Sequence, residues 1–208
     1  LPLLKLVSQQ SFCDESKKSP PGRGKNVDLR SREYLTSDEI KTLRAAVREN
    51  RYPLRDSLII LMLYKHGLRV SELVGLRWDS IDFHTGMIFI RRKKNGTESN
   101  QKLSSDEIAM LKKLRKEVSG AFLFASERGE TLQRFAVNQM LTTAGSKASL
   151  GFKVHPHMLR HAAGYELAKA KVPTRTIQGF MGHKNIQHTV RYTALDPDAY
   201  KGLEDILK

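Results

Sequence analysis

Hydrophobic positions recur at helical spacing along most of the chain. Thr36-Ser-Asp-Glu39 sets a hydroxyl and a carboxylate three residues apart ahead of Ile40, Leu43, Ala46 and Val47. That is a capping box followed by an apolar stripe, and it predicts a helix opening at Thr36. From Leu54 to His66 the run is apolar nearly all round, with Leu58, Ile59, Leu61, Met62 and Leu63. Such a helix is buried, and Gly67 is placed to close it in a left-handed C-cap. Leu68 to Leu73 predicts a second, short helix with Arg69 at its mouth. The period then shortens: Asp79 to His84, Met87 to Arg92 and Gln101 to Leu103 read as short strands, with Lys94-Asn-Gly-Thr97 as the turn between the last two. Ser104-Ser-Asp-Glu107 repeats the capping box and opens a helix to about Val118. Phe122 to Phe124 predicts a small strand and Leu132 to Ser146 a helix, and Pro156 and Pro173 each sit in the first turn of another. Ala199 to Leu207 reads as a closing helix with Leu203, Ile206 and Leu207 apolar. The fold class is mainly α with a small antiparallel β-sheet.

Composition adds an arm and a partner. Between Gln9 and Arg32 hardly an apolar residue occurs, so residues 1–33 are expected to form a flexible basic arm or linker ahead of one domain over 34–208. The 208 residues hold 36 basic and 22 acidic side chains, a net charge of +14, which favours an extended polyanion. The chain contains no apolar run long enough to span a membrane and no signal peptide, so no membrane partner is expected. Cys13 is the only cysteine, which excludes an intramolecular disulfide and a cysteine-based zinc site and fits a cytoplasmic setting.

The chemistry concentrates between His155 and Thr193. On a helix entered through Pro156, His157 and Arg160 share a face, and His161 lies one turn beyond His157. Two histidines four apart also suit a zinc helix, but Met158 stands where that pattern needs a glutamate, and Arg160 would set a fixed charge beside a dication. No metal and no cofactor is expected. Gly182-His183 lets the backbone turn tightly at a helix end, and Tyr192 follows nine residues later without apolar periodicity, so it need not be core. These pieces fill the roles of metal-free phosphoryl transfer to a side chain. A tyrosine hydroxyl attacks phosphorus, guanidiniums clamp the non-bridging oxygens, and a histidine or lysine moves protons.

Arg69 in Gly-Leu-Arg-Val-Ser-Glu-Leu, His157 to Arg160 in His-Pro-His-Met-Leu-Arg-His, Gly182-His183 and Tyr192 follow in the order and at the spacing of the tyrosine recombinase, or phage integrase, family. The chain resembles that family from roughly Tyr34 to Thr193. Within it the pattern is most similar to the short fimbrial phase-variation invertases. The resemblance implies the tyrosine recombinase catalytic-domain fold over 34–208. It implies site-specific recombination through a covalent 3′-phosphotyrosine, in inversion or in integration and excision. It matches Tyr192 to the nucleophile, Arg69 and Arg160 to the phosphate-binding arginines, and His157 and His183 to the remaining proton-handling and phosphate-contacting positions. The general acid falls on the hairpin lysine: Lys94 by register from Leu103, Lys93 by count from Arg69, with Lys94 preferred. Glu72 is expected to orient a site residue from behind or to cap its helix, His161 to support its own helix rather than react, and Arg91, Arg92, Lys93 and Arg191 to contact DNA. His155 and His188 read as structural or DNA-facing. The implied partners are double-stranded DNA and further copies of the chain, a tetramer on paired sites, in the nucleoid. Long members carry a DNA-clamping domain before the catalytic one. Here a polar arm precedes Thr36, as in a short invertase-like recombinase or a piece of a longer protein. A type IB topoisomerase and a catalytically silent DNA-binding regulator of the same fold are the alternatives.

Overall fold

The computed structural model describes residues 32–92 and 98–194. The arm over 1–31, Lys93 and Lys94 with the turn to Thr97, and the closing helix over 199–207 lie outside the described residues. Among the described residues the helices are α1 (Ser37–Ala46), α2 (Pro53–Lys65), α3 (Val70–Leu73), α4 (Ser105–Glu117), α5 (Arg134–Lys147), α6 (Pro156–Lys169), α7 (Thr174–Met181) and α8 (Gln187–Thr193). Strands β1 (Ile81–Asp82), β2 (Met87–Ile90) and β3 (Ser99–Lys102) form one antiparallel sheet in that order between α3 and α4. No described helix is long and apolar enough to cross a membrane.

Both capping boxes form. The Thr36 backbone N–H donates to Glu39 Oε2 at 2.8 Å, and the Ser104 N–H to Glu107 Oε2 at 2.9 Å. Each satisfies a backbone donor that a helix start otherwise leaves open. Helix α2 is the centre of the core. Leu58 to Leu63 are all buried, and α1, α4 and α6 pack around them. It ends at Gly67, whose φ of +55° permits the left-handed turn that delivers Arg69 to the start of α3.

The sheet is shorter than its sequence pattern predicts. Trp78–Ser80 is a single 3-10 turn ahead of β1, and Ile81 pairs with Ile88, which pairs with Gln101. Phe122–Phe124 is not a strand. The Leu123 N–H donates to the Leu76 carbonyl and the Phe124 carbonyl accepts from Leu132, and the segment makes only an isolated bridge, Arg77 to Phe122. Arg32 donates to Glu39 at 2.5 Å and Glu33 pairs with Arg191 at 2.7 Å, so both are tied to the helical body despite their polar neighbourhood.

Helices α6, α7 and α8 enclose a smaller cluster of Ala168, Ile177, Met181 and Tyr192. Tyr192 is 3% exposed and belongs to this cluster, although its sequence neighbours show no apolar periodicity. The cover comes from another helix. Its ring lies over Gly164 of α6, where a built Cβ would come within 2.6 Å of the ring, so only a glycine leaves room there.

Candidate active site

Glu72 holds the site together. Its side chain is 1% exposed, and its carboxylate takes the Arg69 backbone N–H at 2.9 Å and the Arg69 guanidinium at 2.7 Å. Arg92 Nη1 donates to Glu72 Oε2 at 2.8 Å, and Arg160 Nη1 stands 3.8 Å from the same oxygen. Burial works against the carboxylate charge, but the Arg69 N–H, Arg92, the Arg69 side chain and Arg160 together hold its pKa below the usual range. Three guanidiniums on one carboxylate leave the pocket strongly cationic, ready for an anion.

The carbonyl end of α7 binds two of these cations. A helix C-terminus carries partial negative charge, and α7 has no basic residue of its own in its last turn. Arg160 supplies one cation, donating to the Met181 carbonyl at 2.6 Å and to the Gly67 carbonyl. Arg92 supplies the other, donating to the Phe180 carbonyl, which also takes the Gln101 amide at 3.0 Å. Burial, followed by the Arg69 and Arg92 charges, pulls Arg160 down to about 9, which leaves it cationic at neutral pH.

Gly182 then turns the chain at φ +62°, and His183 is buried beside Tyr192. His183 Nδ1 lies 2.9 Å from Thr189 Oγ1, and its ring stacks on Tyr192 with centroids 6.3 Å apart. His161 Nδ1 lies 2.8 Å from the Tyr192 hydroxyl. Burial, with Arg191 and His157, lowers His161 to about 4; burial, with Arg160 and Arg69, lowers His183 to about 3. Both rings are therefore neutral at pH 7, and His161 is able to accept the phenolic hydrogen. Burial pushes the Tyr192 hydroxyl up to about 12 against the pull of Arg160 and Arg191. The nucleophile candidate is a neutral phenol in the free protein.

Arg69, with its side chain 31% exposed, faces a cleft of about 700 Å³ together with His157, Thr131, Gln133 and Arg134. His157 is on the surface, with its ring centroid 6.2 Å from that of His161. Met158 is buried in the core, and among the described residues no three histidine, cysteine, aspartate or glutamate side chains gather as a metal site requires.

The structure thus brings Arg69, Glu72, Arg160, His161, His183 and Tyr192 together, with His157 at the rim. Lys93 and Lys94 lie outside the described residues. Of the residues expected to contact DNA, Arg91 is 83% exposed near Glu98, while Arg191 is on the surface but engaged by Glu33. Arg92 corrects its expectation. Its side chain is 0% exposed and packed against Gly182, because the strand alternation that buries Ile88 and Ile90 buries position 92 as well. Sequence reasoning also missed the contact of His161 with the tyrosine hydroxyl and the Thr189 support of His183; both come from packing between separate helices.

A mainly helical domain with a short antiparallel sheet, an arginine pair on a buried carboxylate and a histidine-held tyrosine define a catalytic domain of the tyrosine recombinase class. Comparison with known proteins agrees. The chain belongs to the phage integrase family, whose model matches residues 33–198. It is 40% identical over 182 residues to the type 1 fimbriae regulatory protein FimE of Escherichia coli strain K12, covering 84% of this chain and 92% of FimE. Among solved structures, the XerA recombinase superposes with a TM-score of 0.69 at 26% identity, over 84% of this chain and 65% of XerA. The Tn1549 transposon integrase in complex with a circular intermediate DNA shares the fold, with a TM-score of 0.70 at 20% identity over 87% of this chain and 67% of that one.

Proposed function

We propose that this chain is a site-specific DNA recombinase that cleaves and rejoins strands through a covalent 3′-phosphotyrosine at Tyr192. The observation that carries this reading is the gathering of Arg69 and Arg160 around Glu72, with the Arg160 charge acting on Tyr192, whose hydroxyl lies 2.8 Å from His161. The phenolic oxygen attacks the scissile phosphorus, the 5′ oxygen leaves as an alcohol, and the phosphate stays on the protein. Attack by another strand's 5′ hydroxyl reverses these bonds, so the ester conserves the energy that rejoining needs. Arg69 and Arg160 stabilise the charge on the phosphoryl oxygens. Lys94 protonates the leaving oxygen, and His157 and His183 complete the proton-handling and phosphate-contacting set. Glu72 fixes Arg69, the Gly67 and Met181 carbonyls hold Arg160, and His161 fixes the tyrosine. No step calls for a metal or cofactor.

The catalytic domain spans 34–208 behind an arm over 1–33. Double-stranded DNA is the substrate, met through the cleft beside Arg69 and by surface cations such as Arg91 and Arg191. The working form is a homo-multimer, a tetramer on two paired sites, acting in the cytoplasm on the nucleoid. Arrest of cleavage on a nicked suicide duplex tests the chemistry. Wild type should form a protein–DNA adduct that Tyr192→Phe abolishes, and an adduct surviving that change would refute the assignment. The assembly is read by sizing the complex on paired sites.

A further inference from the structure

Arg92 and Arg160 contend for one oxygen. Glu72 Oε2 takes the Arg69 N–H at 2.9 Å and Arg92 at 2.8 Å, and has Arg160 waiting at 3.8 Å. Arg92 has no exposure with which to meet a DNA phosphate, and its second arm binds the Phe180 carbonyl, one residue before the Met181 carbonyl that holds Arg160. Its Cγ, Cδ and Nε fill the space beside Gly182, where a built Cβ would come within 2.7 to 2.8 Å of them. One side chain thus joins the segment just after β2 to the buried carboxylate and to the turn that presents His183.

We infer that Arg92 is a positioning residue for the recombination chemistry: by occupying Glu72 Oε2 and the Phe180 carbonyl it keeps Arg160 off the carboxylate and fixes the Gly182–His183 turn. The inference rests on the proposed phosphotyrosine reaction. Its physical basis is a competition between acceptors. Arg160 now donates to two neutral carbonyls, of Gly67 and Met181. A buried carboxylate oxygen is the stronger acceptor, and its occupation by Arg92, beside the Arg69 N–H, prevents a hydrogen-bonded pair with Arg160. Without Arg92 the guanidinium of Arg160 turns onto Glu72, and the phosphate loses one of its two clamps.

The test compares Arg92→Met, which keeps length and apolar bulk without charge, with Arg92→Lys, which keeps the charge without the fork. Adduct formation on the suicide duplex is followed at saturating protein, and the Kd for the same duplex is measured separately. Arg92→Met should slow the saturating rate by about tenfold or more while the Kd stays within about threefold, with Arg92→Lys between it and wild type. Adding Glu72→Gln to Arg92→Met should then raise the rate, because a neutral amide no longer draws Arg160 away. A merely structural Arg92 predicts the opposite, a double variant slower than the single. Wild-type rates in a folded Arg92→Met, a parallel fall of rate and affinity, or a slower double variant would each overturn the inference. If melting curves show Arg92→Met unfolded, the same split between rate and Kd in Arg92→Lys decides. Absence of any adduct with wild type would overturn the proposed reaction instead.

Discussion

Acidification from pH 7 to pH 5 should weaken the fold through two histidines of the site. His161 titrates at about 4 and His183 at about 3 in the folded chain, against an ordinary 6.5 for each. The folded pKa values lie below the unfolded ones, so between them the unfolded chain binds protons that the native chain refuses. The stability from keeping both rings neutral is therefore complete above about pH 6.5 and falls with pH towards the folded values. By pH 5 an unfolded histidine is nearly fully protonated and the native ones are not, a loss of about 2 kcal/mol each and about 4 kcal/mol together. Carboxylates contribute little there, because an unfolded glutamate begins to take up protons only near its ordinary 4.5. With a urea m-value of about 2 kcal/mol/M, the unfolding midpoint should drop by about 2 M between the two pH values. Urea titrations followed by circular dichroism at pH 7, 6 and 5 measure it. His183→Asn should halve the drop whatever it does to stability at pH 7, because each variant is compared with itself. A midpoint moving by less than about 0.5 M, or an undiminished drop in His183→Asn, would refute the reasoning.

Two further substitutions probe the packing of the site. Gly164→Ala sets a methyl against the Tyr192 ring, and overpacking of this kind costs about 1 to 3 kcal/mol. Thermal melting should show the loss, and the suicide-substrate assay a slower adduct, since the hydroxyl is pushed off His161. Glu72→Ala leaves Arg92 and Arg160 buried without their counter-charge, at a cost of about 3 to 5 kcal/mol. A fall in Tm of about 10 °C is expected, readable by calorimetry.

The positions of Arg69, Arg160, His183 and Tyr192 were legible because motif order and helix punctuation survive in one dimension. Pro156 opens α6 and Gly182 ends α7 for reasons local to each. Burial was harder to read. The burial of Tyr192 could not be read because α8 has no apolar stripe of its own, and its cover comes from Gly164, Tyr165 and His161 on α6. Arg92 was misread for a different reason. Next to Arg91 and two lysines it suggested a solvated basic tip, yet carrying the strand alternation two residues past Ile90 puts it on the core face, and that signal was in the sequence. The 31-residue separation of His161 from Tyr192 carries no such signal, and only the docking of α8 on α6 reveals the contact.

The three guanidiniums on Glu72 come from α3's mouth, the segment just after β2 and the middle of α6, so the carboxylate recruits residues 69, 92 and 160. Until α6 and the sheet have both docked, Glu72 lacks two of these cations and the tyrosine has no histidine at its hydroxyl. The site is thus complete only where α3, the sheet, α6 and α8 meet, so a partly docked chain lacks the set of groups that the proposed cleavage needs.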